Sequence, residues 1–513
     1  DGTPQSWVAL NPGWDYRLWT DDDLLVFVRD EFPDLLELYQ SYPNPVQRAD
    51  LARYMLLYRF GGVYADMDTD CLAPFDPLAS DDRVILCEEP VANWEKATQL
   101  GMERLYFNGT MASPAGHPFW RHVLDYAWKC RHAAPKDVLD STGPLMFSGA
   151  IFAYPRQEEL ALNSCHLFAP SAPGGREDAG EPYGDYAAMR LSRHNWAGTW
   201  FHERKEGRYS RLKGKWRKRR ALASKPAGLT LGQVEARIDR AALSAPLVPF
   251  GEQSCPNVVV FVPVRNGADF IARNFELVRS LDYPAGKLRL VYCEGDSTDG
   301  SRAMLERLKA ECGGSLRGLE ILDFSTGLTL GRRQRWEPDR QLARRGAIAR
   351  VRNHLIRHGL AASDDWVLWL DVDVCDFPRD ILKTLLRRNR KIVTPNCVLE
   401  AGGPSYDLNA FLEIGEPRPS LYYKHVVGGL FQPPANYWHR RHLHDLRYLD
   451  EVPLSSVGAT MLLVHASVHR AGLEFPEIPY NDLIETEAFG RLAGELGVTP
   501  VGLPNIEIIH VKS

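Results

Sequence analysis

The sequence predicts an α/β protein of two domains, each a mixed, mostly parallel sheet covered by helices. Three observations carry that expectation. From residue 257 onward, short apolar runs alternate with stretches of helical spacing, as in parallel strands joined by crossover helices. Around residues 45 to 65, a helical stretch, a Gly-Gly stop and a short apolar strand follow one another directly. Between these regions the composition breaks at "RKEGRYSRLKGKWRKRR", residues 204 to 220, which holds ten Lys or Arg against one Glu.

Length and composition set the bounds. A chain of 513 residues exceeds what one hydrophobic core supports and suggests about two to four domains. Apolar residues at 44% and charged residues at 25% exclude wholesale disorder. A net charge of -5 and a pI near 6.3 argue against nucleic acid as the main partner. The nine cysteines (Cys71, Cys87, Cys130, Cys165, Cys255, Cys293, Cys312, Cys375 and Cys397) form no CxxC pair and are odd in number. That suits buried free thiols in a reducing compartment, so the expected location is cytoplasmic. No run of eighteen apolar residues is present, and no spanning helix is expected. The chain shows no starting Met and no signal peptide, which leaves open that it is a trimmed fragment.

In chain order, "NPVQRADLARYMLLYRFGG" starts a helix at Pro45 and stops it at Gly61 and Gly62. Asp50 and Arg53, three apart, share one face of it. "GVYAD" then runs as a strand into Asp66, Asp68 and Asp70. The first domain is expected over 1–215, a basic, Pro- and Gly-marked linker over 216–250, and the second domain over 251–513. The stretch 204–220 is either a solvated linker or a patch for an anionic membrane surface, with Tyr209 and Trp216 at the headgroup boundary.

In the second part, strands are predicted at 257–264, 287–293, 319–324 and 365–370, and helices at 267–281, 301–312 and 340–359. Ser297 and Asp299 are the expected caps of the 301–312 helix. Ligands of such sheets sit at the carboxyl ends of the strands, where "DWVLWLDVDV" places Asp371 and Asp373. Neither GxGxxG after a strand nor GxxxxGK[ST] occurs, so dinucleotide and P-loop readings have no support. Paired carboxylates at a strand mouth suit a hard divalent ion such as Mn²⁺ or Mg²⁺, which leaves coordination positions open for phosphate. A nucleotide-sugar is the substrate that arrangement fits, because the ion stabilises the departing diphosphate. A solvated acidic loop is the plain alternative, but neither pair lies in a generic polar stretch.

Residues 1 to about 202 resemble the DXD-containing sugar transferases of glycosyltransferase family 32. The resemblance rests on "ALNPGWDYRLWTDDD", "QRADLARYMLLYRFGGVYADMDTDC", "NGTMASPAGHPFW", "STGPLMFSGA" and "RHNWAGTW". It implies that Asp50 and Arg53 contact the donor, that Asp66 and Asp68 serve the metal with Asp68 in the catalytic set, and that His194 joins them near the diphosphate. Family members begin with a strand ahead of the "NP" region, and this chain starts after it. Residues 257 to 513 resemble the Anp-type subunits of fungal mannan polymerases, glycosyltransferase family 62, through "VPVRNGADFI", "CEGDSTDGS", "ARVRNHL", "DWVLWLDVDV", "SSVGATMLLVHASVHRAGLEFP", "IETEAFGRLAGELG" and "GLPNIEIIHVKS". That resemblance implies a GT-A fold, one divalent ion, GDP-mannose as donor, and retention of configuration. It makes Asp371, Asp373 and His510 metal ligands, with Asp373 also catalytic. Glu485 becomes an acceptor-side or transition-state carboxylate, and Pro263, Arg265, Asp296 and Arg352 map to the donor crevice.

The expected function is therefore a bifunctional, metal-dependent retaining glycosyltransferase acting on a glycan or glycolipid, with one cation per domain and a UDP-sugar open as the first domain's donor. Rival readings are a single active second domain with the first as acceptor-binding module, a toxin-like transferase, and a glycan-binding scaffold. Bland readings stand beside single residues: Glu485 as a first-turn acid at a helix amino end, His510 as a core residue, and His439, His442 and His444 as a polar loop rather than a zinc site.

Overall fold

The computed structural model describes residues 3–197, 218, 228–312, 314–329, 334 and 337–512. The basic stretch at 204–220 lies outside them, except residue 218, and so does the membrane-surface role expected of it. Two compact units are found: Asp1–Lys205 with Asp445–Leu449, and Glu206–His444 with Asp450–Ser513. A short later segment is counted in the first unit. No helix among the described residues is long and apolar enough to cross a membrane.

In the first unit, helix α1 (Pro45–Phe60) begins where Asn44 caps it. The Asn44 side chain accepts from the Val46 amide at 3.0 Å, and Gln47 accepts from the Asn44 amide at 3.1 Å. The helix ends on Gly61, whose φ of 66° and neighbouring Ala115 backbone leave no room for a Cβ. Leu51, Ala52, Tyr54 and Met55 are fully buried, which fixes the helix and so aims Asp50 and Arg53. Strand β1 (Gly62–Ala65) follows, then β2 (Thr69–Cys71), β3 (Val84–Cys87), β4 (Thr110–Ser113), β5 (Leu160–Asn163) and β6 (Ser192–His194). The main sheet runs β1-β4-β3-β5, with only β3 and β5 parallel, while β2 pairs antiparallel with β6.

The second unit is built on a nine-stranded sheet. Its parallel part comes from β7 (Val258–Val264), β8 (Leu288–Glu294), β9 (Gly318–Asp323) and β10 (Trp366–Leu370), in the order β9-β8-β7-β10. Helices α2 (Ala268–Arg279), α3 (Ser301–Cys312) and α4 (Gln341–Gly359) make the crossovers. Val258 to Phe261 are buried without remainder, as a strand covered on both faces requires. Asp299 accepts from the amides of Ser301 and Ala268 at 3.0 Å each, so it ties both crossover helices. Ser297 does not cap α3; its hydroxyl accepts from the Asn266 amide at 2.9 Å and joins the loops after β7 and β8.

The other half of this sheet follows no βαβ rhythm: β11 (Val374–Asp376), β12 (Ile392–Val398), β13 (Val452–Pro453), β14 (Met461–His465) and β15 (Val501–His510). The order continues from β10 as β14-β12-β15-β11, with β13 beside β15, and only β12 and β15 pair in parallel. Helix α5 (Thr486–Glu495) precedes the last strand.

One core histidine gives this unit a pH signature. His469 is buried against Trp369, Phe475 and Phe489; its Nε2 accepts from the Trp369 indole at 3.2 Å, and its Nδ1 donates to Leu473 O at 3.0 Å. Both nitrogens are satisfied in the neutral ring, and burial pushes its pKa down to about 4. The unfolded ring takes a proton near 6.5, which the folded ring refuses until about 4. Stability is therefore present above pH 6.5 and falls by roughly 3 kcal/mol as pH drops through that window. Denaturant midpoints across pH 4 to 7 check this, and His469→Gln should flatten the slope.

Candidate functional site

In the first unit the acidic turn between β1 and β2 is held from both sides. The Asp66 amide donates to Gly109 O at 2.8 Å, and a Cβ on Gly109 would stand 2.8 Å from Asp66 Oδ2. Only glycine lets the two loops approach so closely. The antiparallel β2–β6 pairing sets Thr69 opposite His194, which carries the imidazole to the carboxylates. His194 Nε2 lies 2.9 Å from Asp68 Oδ1 and 3.8 Å from Asp66 Oδ2. One ligand atom from each of the three residues lies within 4.8 Å of the others. Two carboxylate oxygens and an imidazole nitrogen form a donor set that fits Mn²⁺. Burial opposes charge on His194, but its bonds to Asp66 and Asp68 outweigh burial and raise it to about 9. Asp68 is pushed upward by burial, yet His194 and the Ala197 amide at 2.8 Å hold it below the usual carboxylate range.

Arg53 backs this cluster. Its Nη2 lies 2.9 Å from Asp50 Oδ1 and 3.1 Å from Asp66 Oδ1, and its Nη1 donates to Asn108 O at 2.7 Å. Tyr64 donates to Asp66 Oδ1 at 2.9 Å. Asp50 is only 3% exposed and accepts from Thr142 Oγ1 at 3.0 Å and Asn108 Nδ2 at 3.3 Å. Burial pushes it up to about 6 against the pull of Arg53. The Asp50 carboxylate faces inward and positions Arg53, because α1 buries that face.

The second unit holds a cavity of about 520 Å³ at the carboxyl ends of β7, β8 and β10. Pro263, Arg265, Asp296, Arg352, Asp371, Asp373, Glu485 and His510, all singled out in the sequence, line it together. His510 is the last residue of β15, paired with Val374, and its Nε2 lies 3.1 Å from Asp373 Oδ1. Burial works against its charge, but Asp373 raises its pKa above the usual value. Arg352, on α4, bonds Glu485 through Nη1 and reaches Asp371 Oδ1 with Nη2 at 3.4 Å. Burial pushes Asp371 up, against the pull of Arg352. Asp371 therefore does not join Asp373 and His510 in a three-ligand group within 4.8 Å; among the described residues that geometry occurs only in the first unit. The buried guanidinium, anchored on Glu485, pairs with Asp371.

Asp296 (φ 61°) accepts from Ser325 Oγ and from the amide and hydroxyl of Thr326, at 2.8 and 2.9 Å for the latter two. The Ser325 hydroxyl first, with Thr326 beside it, holds the carboxylate below its usual range. Asp296 so fastens the loop after β9 at one end of the cavity. Glu485 also has a left-handed φ, 57°, and is bonded to Arg345 at 3.5 Å besides Arg352. Strain of this kind costs about 1–3 kcal/mol and persists where surrounding structure enforces it.

Several cavity residues escaped sequence reasoning. Asp407 accepts from Thr460 Oγ1 and the Asn409 amide at 2.9 and 3.0 Å, and a Cβ on Gly458 would stand 1.9 Å from its Oδ2. Tyr406 packs on the His510 ring at 4.3 Å between centroids. Arg345 and Thr486 also line the cavity. Tyr406 and Asp407 lie in an irregular segment after β12, while Arg345 sits on α4 and Thr486 opens α5, so no local pattern marked them. The His439, His442 and His444 group forms no three-ligand cluster among the described residues. His439 Nδ1 sits 3.0 Å from Ile414 O, and His444 Nδ1 accepts from the Ser405 amide.

Two family profiles divide the sequence. "Glycosyltransferase sugar-binding region containing DXD motif" matches residues 2–85, and "Anp1" matches 249–479. These matches support glycosyltransferase activity. The chain is 29% identical over 272 residues to mannan polymerase complex subunit mnn9 of Schizosaccharomyces pombe, covering 49% of this chain and 79% of that one. It is 34% identical over 152 residues to inositol phosphoceramide mannosyltransferase 3 of the same yeast, covering 29% of this chain and 38% of that one. It spans 64% and 56% of two further mannan polymerase subunits, from S. pombe and Saccharomyces cerevisiae. Among solved structures, the mannosyltransferase PcManGT from Pyrobaculum calidifontis, in complex with GDP-Man and Mn²⁺, aligns at 16% identity with a TM-score of 0.31. The alignment covers 59% of this chain and 69% of that one.

Proposed function

We propose that the chain is a two-site, cation-dependent glycosyltransferase that moves hexose from nucleotide-sugars to a glycan or glycolipid, with GDP-mannose the donor of its second unit. One observation carries this: eight residues scattered from 263 to 510 line a single cavity at the strands' carboxyl ends. The mannosyltransferase and mannan polymerase names of its relatives support mannose as the sugar. Asp66, Asp68 and His194 in the first unit, and Asp373 with His510 in the second, would hold the cation. Bound there, the cation supplies positive charge against the departing diphosphate.

The chain's own groups account for the rest. Arg352 keeps Asp371 and Glu485 at fixed separation and stays charged beside the phosphates. Arg265 and the loop fastened by Asp296 frame the nucleotide end of the cavity. Glu485, buried and clasped by two arginines, orients hydroxyls rather than taking a proton. The acceptor hydroxyl attacks from the face the nucleotide vacates and gives its proton to the leaving phosphate, which retains configuration. The domain limits 1–215, 216–250 and 251–513, a cytoplasmic location and peripheral attachment through 204–220 belong to the same proposal.

Converting Asp66 and Asp68 to Ala tests the two-site reading. The expected result is loss of one of two products, or of one step in a sequential product, with nucleotide release by the second unit unchanged. An unaltered product pattern would reduce the first unit to an acceptor-holding module. No nucleotide release from any nucleotide-sugar, with Mn²⁺ or Mg²⁺, would leave the glycan-binding scaffold.

A further inference from the structure

Thr486 opens helix α5 and lines the second unit's cavity, yet it is only 2% exposed. Its Oγ1 has no hydrogen-bond partner among the described residues. A buried hydroxyl left unpaired costs about 1–3 kcal/mol, so such a group in a cavity wall calls for a ligand. The helix end beside it lacks a side-chain cap. Glu485, the N-cap residue, makes no side-chain cap, because its carboxylate is drawn to Arg352 and Arg345 instead. The first amides of this ten-residue helix are therefore not capped by that side chain.

We propose that Thr486, with the Glu485 carboxylate, holds neighbouring hydroxyls of the hexose being transferred, and so determines recognition of the sugar part of the donor. The chemical class follows from the groups present. A hydroxyl ligand can accept from Thr486 Oγ1–H or an α5 amide while donating to Glu485. A phosphate would face the Glu485 carboxylate at close range, a repulsion that a neutral hydroxyl does not meet. The position follows from Arg352. One guanidinium joins Glu485, the residue before Thr486, to Asp371, and Thr486 lines the same cavity as Asp371 and Asp373. In a nucleotide-sugar the group next to the diphosphate is the hexose ring. Glu485 at φ 57° is a strained position beside Thr486, and both residues line the cavity.

The inference rests on the donor reading of this cavity, and the experiment separates the two. In the full chain carrying Asp66→Ala and Asp68→Ala, calorimetry with Mn²⁺ present compares GDP with GDP-mannose. Thr486→Val should weaken GDP-mannose binding roughly 10-fold and leave GDP unchanged, the loss of one good hydrogen bond. Thr486→Ser should restore most of the difference, which a role in helix packing alone would not produce. Retained GDP binding shows that each variant is folded at this site; should Thr486→Val not fold, Thr486→Ala carries the same comparison. Equal binding of GDP-mannose by Thr486→Val and the parent, or equal loss of both ligands, overturns the proposal. A parent that binds neither ligand overturns the donor reading itself.

Discussion

Asp373→Ala is expected to lower transfer by the second unit about 100- to 1,000-fold in kcat, the loss typical of removing a fixed charge partner from a reaction centre. Asp373 follows the buried β10 strand, which cannot shift to compensate. Its Oδ1 lies 3.1 Å from His510 Nε2, and the Val511 amide donates to its carbonyl at 3.2 Å. Alanine takes from His510 its bonded carboxylate and removes one of the two groups proposed to hold the cation. The measurement is nucleotide released from GDP-mannose in the presence of acceptor, in the Asp66→Ala, Asp68→Ala background. Asp373→Asn keeps the size of the side chain and should fail nearly as badly, since charge is what is lost. A fall of less than about fivefold for both would remove Asp373 from the reaction centre.

The second large effect is on stability. Arg53→Leu should destabilise the first unit by about 3–5 kcal/mol, because it leaves Asp50 buried and Asp66 half-buried without their shared cation. Arg53 and Asp50 are 5% and 3% exposed, so water cannot take over the lost partner. The guanidinium meets two carboxylates and one carbonyl at once, a geometry an ammonium cannot copy. Arg53→Lys should therefore recover only part of the loss. Thermal unfolding of the first unit should shift down on the order of 10 °C for Arg53→Leu. Mn²⁺ binding at Asp66, Asp68 and His194 should weaken with it, since Asp66 loses its orientation. A shift below about 2 °C would mean that Asp50 is not held charged by Arg53.

Much of this was legible from local pattern. The helix from Pro45 to Phe60 has its capping residue, its Pro at the first turn and its glycine stop in order, and each does what residue chemistry dictates. Of the four parallel strands of the second unit, β7 and β10 were marked by unbroken apolar runs, and β8 and β9 by apolar runs broken by one charged residue, Arg289 and Glu320. The strands from 374 onward were harder to see, because antiparallel additions to a sheet carry no crossover helix to announce them. Ser297 shows the limit at the scale of one side chain. As a cap it was as good a candidate as Asp299, but the approach of the 265–267 loop gave it another partner. Asp50 shows the same limit in reverse, since a shared helix face with Arg53 was readable while the direction of that face was not.

What the sequence by itself determined is the pair of acidic turns, each at the mouth of a strand, and the helices and strands that precede them. These depend on a few neighbouring residues, whose spacing, caps and glycines settle backbone geometry locally. Only the tertiary structure decided what stands beside each pair. His194 reaches Asp68 through the β2–β6 pairing, and His510 reaches Asp373 through the β11–β15 pairing. Arg352 bridges Asp371 and Glu485. Such pairings join segments more than a hundred residues apart in sequence, apart from the Arg352–Asp371 contact. Their register depends on the burial of the whole sheet, a sum over many side chains that no single stretch contains.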